Sequence, residues 1–67
     1  MKLYKVNFIC NEEVIFEMSP AIILPRKGEK IKYDKILYFI TDVIWDINKG
    51  AYEVYIEEVL WKLEQVL

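Results

Sequence analysis

Leu24-Pro25-Arg26-Lys27-Gly28-Glu29-Lys30-Ile31 is a proline and glycine turn set between two apolar runs, and its reading decides the period of everything around it. Pro25 presets φ at an early turn position. Gly28 supplies the positive φ that closes the turn before the chain resumes as extended Lys30-Ile31-Lys32-Tyr33, in which Ile31 and Tyr33 face one way and the two lysines the other. Asp34-Lys35 returns the chain. Working outward, Tyr4, Val6 and Phe8 alternate with Lys5 and Asn7, Asn11-Glu12-Glu13 turns, and Val14, Phe16 and Met18 alternate back, so the first segment predicts a hairpin that Pro20 ends. Ala21 to Leu24, flanked by prolines, reads as an edge strand or an arc-shaped connection.

Beyond the turn, Ile36, Tyr38 and Ile40 are the apolar set, but after Thr41-Asp42 the set is odd: Val43, Trp45 and Ile47. A slip of one residue exchanges the two faces of a strand, so a strand serving one core has to absorb the switch with a bulge or bend near Thr41-Asp42. Asn48-Lys49-Gly50 then connects to a strand carrying Tyr52, Val54 and Ile56. From about residue 57 to 67 the period changes: Val59, Leu60, Leu63, Val66 and Leu67 share a third of a helical wheel, with Glu57 and Glu58 in the first turn. Trp61 falls on the opposite side of that wheel. The competing reading lets the last strand run on through Trp61, placing Val59, Trp61 and Leu63 on one face.

The predicted architecture is therefore α+β and mostly β: about five antiparallel strands within residues 2–57, plus a short C-terminal amphipathic helix, in one domain. The strands form either a bent SH3-like partial barrel or a meander backed by the helix. Trp45 and Tyr38 sit on core-parity positions. Leu37, Phe39 and Ile44 lie on the other parity and need a second cover.

Composition limits what such a domain can do. At 67 residues and 8.1 kDa it buries only about 60% of its unfolded surface. One cysteine, Cys10, and no histidine exclude an intrachain disulfide and a His/Cys zinc site, so oligomerisation is the remaining route by which so small a chain, 55% hydrophobic, hides its apolar surface. The usual general base near neutral pH is missing, neither Ser19 nor Cys10 sits in a nucleophile motif, and the acids have no calcium-loop spacing. No catalytic, metal or cofactor residues are assigned. With no leader-like start and no apolar run of membrane length, the chain reads as cytoplasmic.

Charge is segregated. Between Arg26 and Lys35 five bases stand against two acids, a net +3 that leaves −5 for the rest of a chain whose net charge is −2. Arg26, Lys27, Lys30 and Lys32, with Tyr33 as a stacking platform, could meet phosphate. Lysines on an edge hairpin equally serve to prevent edge-to-edge association, and a pI near 5.0 is unlike that of a nucleic-acid binder.

The order Pro25-x-x-Gly28-Glu29-x-Ile31, then Tyr38, then Val43-x-Trp45-Asp46 and a valine-bearing last strand, resembles small phage and mobile-element proteins with an SH3-like barrel pattern. The likeness spans residues 24 to 56. It implies an accessory protein acting in the host cytoplasm by binding a host protein, including components of antiviral defence, or by sequestering a nucleotide signal. The expectation is thus a non-enzymatic protein-interaction module, a homodimer or larger, with Trp61, Leu60, Leu63, Leu67, Phe39 and Leu37 at the partner or oligomer interface. The alternative is a nucleic-acid or nucleotide binder using the 26–35 face.

Overall fold

A computed structural model describes residues 3–21 and 23–59. Five strands, β1 (Tyr4–Cys10), β2 (Glu13–Ala21), β3 (Lys30–Tyr33), β4 (Ile36–Asp46) and β5 (Ala51–Glu58), make one sheet in the order β2-β1-β5-β4-β3. The sheet curls into a half-barrel. Three of its four ladders are antiparallel, as expected, but β1 pairs with β5 in parallel, Val6 opposite Tyr52 and Phe8 opposite Val54. That pairing corrects the all-antiparallel expectation and excludes the meander, because β1 and β5 are neighbours in space with the whole chain between them. Alternation specifies which face of a strand is buried, not which strand lies beside it.

Two tight turns build the hairpins. Asn11-Glu12 and Asp34-Lys35 all have positive φ, from 53° to 69°, the twist that suits right-handed strands leaving a two-residue loop. The turn that opened the sequence reading forms around Gly28: its φ of 93° fits the third position of a type II turn closed by Glu29 N–H donating to the Arg26 carbonyl at 3.1 Å. Pro25 lies just before this turn rather than within it. Gly28 N–H also donates to the Ile40 carbonyl and Ile40 N–H to the Glu29 carbonyl, both at 2.9 Å, so the basic turn is stitched to the middle of β4.

The bulge falls where the parity switch requires it. Ile40 pairs with Ile56 and Asp42 with Tyr55, leaving Thr41 as the extra residue, its hydroxyl donating to the Tyr55 carbonyl at 3.1 Å. Ile40 before the bulge and Val43 after it consequently share the concave face. There Val6, Phe8, Tyr38, Ile40, Val54 and Ile56 pack as the core, with Ala21 closing one end.

Three local expectations are corrected. β2 continues through Pro20 to Ala21, which pairs with Tyr4; β2 is an edge strand, where a missing N–H is tolerated. Glu57 and Glu58 are not the first turn of a helix but the end of β5, opposite Phe39 and Tyr38, and Val59 N–H donates to the Leu37 carbonyl at 2.8 Å. The ladder partner offered by β4 overrides the local helical period. The remainder of the expected helix, with Leu60, Trp61, Leu63 and Leu67, lies outside the described residues. Finally, Trp45 is 48% exposed rather than core, since the sheet extends past the bulge beyond the packed centre.

Deleting Thr41 should test the bulge directly. The deletion joins Ile40 to Asp42 in plain alternation, Ile40 and Val43 inward and Asp42 outward, so the faces of β4 are kept. Deleting Tyr55 from the regular run of β5 instead turns Ile56 outward and Glu57 inward, and burying an unpaired carboxylate costs several kcal/mol against a total of roughly 5 kcal/mol for so small a domain. A cooperative thermal transition by circular dichroism is expected to survive deletion of Thr41 and to be lost on deletion of Tyr55; loss of the transition in both would contradict the assignment.

Candidate polypeptide-binding mouth

A half-barrel has two free edges, here β2 and β3, and the curl brings them face to face. Their backbones do not pair: no Cα of β2 lies within 8 Å of a Cα of β3. Side chains span the opening instead. Phe8, in the core, stacks on Phe16 of β2 with ring centroids 4.3 Å apart, and Phe16 stacks on Tyr33 of β3 at 3.9 Å, both pairs within 12° of coplanar. This column of three rings lines a groove of about 490 Å³ together with Met18, Ile23, Pro25 and Ile31 and the charged Glu17 and Lys32. Met18 and Ile23 are 42% and 79% exposed, a large apolar offering to solvent.

The basic segment forms the β3 bank of this mouth. Arg26 is fixed by its N–H, which donates to Glu29 Oε1 at 2.9 Å, so the acid of the turn serves the backbone. Lys30 and Lys32 project from the convex face of β3, opposite Phe39 and Leu37 of β4. Among the described residues the ion pairs are Lys5 with Glu17 and Lys49 with Glu53, each at 3.3 Å, and neither involves the five bases between Arg26 and Lys35. The mouth is therefore apolar within and positive along one bank.

The residues expected to act are divided by the fold. Of the expected phosphate contacts Lys32 and Tyr33 line the mouth, while Arg26 and Lys27 lie in the preceding turn and Lys30 on the convex face of β3; one face of the Tyr33 ring is already taken by Phe16, which removes half of the expected stacking platform. Leu37 is half-buried and Phe39 exposed on the convex face, flanked by the lysines of β3, away from the groove. Ile44 is exposed on that face as well, and among the described residues nothing covers it. Phe16, Met18 and Ile23 were not singled out by the sequence; only the position of β2 at a sheet edge makes them accessible, and alternation carries no signal for edges.

Two other regions hold polar or aromatic groups. At the far end Trp45 tilts against Tyr52, centroids 4.9 Å apart, and Tyr52 meets Tyr4 edge-on at 5.4 Å, forming a shallow aromatic shelf with Leu3. On the convex face the Tyr55 hydroxyl donates to Glu53 Oε1 at 3.1 Å, and this bond, with burial, raises the phenol above its ordinary pKa of 10.0. Burial does the same for Tyr38, reinforced by unfavourable electrostatics from the neighbouring Cys10 and Glu58 side chains. Both phenols therefore stay protonated near pH 7. Among the described residues no group of three or more His, Cys, Asp or Glu is placed to hold a metal ion, and no helix is long and apolar enough to cross a membrane.

The ring column can be measured through a double-mutant cycle. Phe16→Leu, Tyr33→Leu and the pair together should give a coupling energy of about 1 kcal/mol in denaturant unfolding, the size of an aromatic pair beyond its buried area. Additive effects would mean that the two edges do not meet through these rings.

Comparison with protein-family models, with curated proteins and with solved structures finds no match for this chain.

Proposed function

We propose that this chain is a non-enzymatic protein-interaction module that binds a polypeptide partner at the mouth between β2 and β3. The observation that carries the reading is the groove itself: an apolar concavity flanked by two unpaired strand edges, one bank carrying bases that are outside the ion pairs of the described residues. Protein interfaces favour an apolar, aromatic centre with a polar rim, and Phe16, Tyr33 and Met18 with Glu17 and Lys32 beside them have that arrangement. The exposed Phe39 and Ile44 on the convex face support a second proposal, that the module is a homodimer or larger. The likeness to SH3-like phage and mobile-element proteins supports taking the partner to be a host protein, with defence components among the candidates.

Phosphate recognition by the same bases is the rival reading. Its weakness is physical: a single-strand binder stacks bases on open aromatic faces, whereas Tyr33 is stacked on Phe16 and the groove between the banks is apolar.

Affinity capture from a lysate of the source cells, run with and without nuclease, separates the two. Met18→Glu with Ile23→Glu alters the mouth at exposed positions, and Ile47→Glu, exposed in the β4–β5 connection, is the control. A protein that survives nuclease, is lost with the mouth variant and is retained with the control is the expected result. Capture that vanishes with nuclease, or that ignores the mouth substitutions, would overturn the reading.

A further inference from the structure

Resting on that reading, the geometry points to a specific mode of binding. We infer that the mouth takes an extended peptide segment, with apolar residues alternating with carboxylates, as a sixth strand inserted between β2 and β3 that closes the barrel.

The first argument is width. Neighbouring strands lie about 4.8 Å apart, so a single missing strand leaves edges separated by about 9.6 Å. The β2 and β3 backbones stay more than 8 Å apart at the Cα atoms, yet Phe16 and Tyr33 still touch across the opening. An opening wider than 8 Å is too wide for a ladder and leaves space for a strand above the ring column.

The second argument is the hydrogen-bonding state of β3. Its two-residue turn, Asp34-Lys35, makes Tyr33 and Ile36 a bonded pair, and the bond from Ile40 N–H to the Glu29 carbonyl marks the same alternation at the other end. Lys30 and Lys32, between those pairs, therefore direct their N–H and C=O groups away from β4 and into the mouth. Open edge groups of this kind are the template used in strand addition.

Face and charge decide the occupant. Side chains of an inserted strand alternate between the groove, where they meet Phe16, Met18, Ile31 and Tyr33, and the convex side, where they lie cross-strand from Lys30 and Lys32. The inward positions call for apolar residues and the outward ones for carboxylates. A second copy presenting its own β3 would set lysine against lysine, and on β2 Glu17 is already held by Lys5 at 3.3 Å. Charge complementarity thus selects an acidic strand over another copy of this edge.

The probe is a synthetic, end-capped nonapeptide of alternating glutamate and valine. Its comparators are the lysine-for-glutamate version and a version N-methylated on the amides of every second residue, made in both phases. Binding is read by fluorescence anisotropy, and amide hydrogen exchange at Lys30 and Lys32 by NMR. Expected are binding of the acidic peptide, at least tenfold slower exchange at both lysine amides, at least tenfold weaker affinity for Lys30→Glu with Lys32→Glu, and weaker binding in both phases of N-methylation, because alternate amides of an inserted strand face the two edges. The two lysines are exposed, so the double variant should keep the parent thermal midpoint. Absence of binding, equal binding of the acidic and lysine peptides, or binding without protection of the two amides would overturn strand insertion. If a lysate partner is nevertheless captured through the mouth, the protein-binding reading stands and only the inserted strand fails; displacement of that partner by an oligothymidine would instead sink both.

Discussion

The parallel ladder between β1 and β5 is the interaction on which the rest of this fold depends. Without it the chain is a β1–β2 hairpin and a separate β3-β4-β5 sheet, and a two-stranded hairpin is marginal in water. With Val6 opposite Tyr52 and Phe8 opposite Val54, the hairpin is set against β5 and its apolar face joins that of Ile40 and Ile56 in one core. The same ladder leaves β2 and β3 as the edges, so the existence of a mouth follows from it. Because the pairing closes a loop of some forty residues between Cys10 and Ala51, its entropy cost has to be met by contacts made together rather than one at a time.

How much of this was legible depends on the range over which each residue acts. The Thr41 bulge was visible because a parity switch is a local record of a global requirement, and Gly28 was visible because only positive φ explains a glycine at that point of the turn. Trp45 shows the limit: its parity was read correctly, but parity does not tell how far along a strand the core extends. Glu57 and Glu58 show another. Their helical period was real in the sequence and was overridden by a backbone partner on β4 that no local pattern announces. The basic bank of the mouth was read from charge alone, while Phe16 and Met18 on the opposite bank looked like ordinary inward residues until the strand order placed β2 at an edge.

The lysines of β3 have two effects with one origin. Placed along an open edge, they oppose pairing with an identical edge, which protects a small and apolar chain from association through its free backbone. They also leave a positive row beside an apolar groove, so the same charges that reject a copy favour an acidic strand. The ring column of Phe8, Phe16 and Tyr33 holds the two edges at a separation their backbones cannot bridge, and in doing so both stabilises the curl and keeps the opening accessible.

The β2 and β3 edges of this half-barrel are joined by side chains and not by backbone. Nuclear Overhauser contacts in the free protein measure this most directly. The account predicts ring-proton contacts between Phe16 and Tyr33 and backbone contacts across β1 and β5, such as Asn7 with Glu53, with no backbone contact between Glu17 or Met18 and Lys30 to Tyr33. Backbone contacts across β2 and β3 would show a closed barrel with no place for a sixth strand and would contradict it.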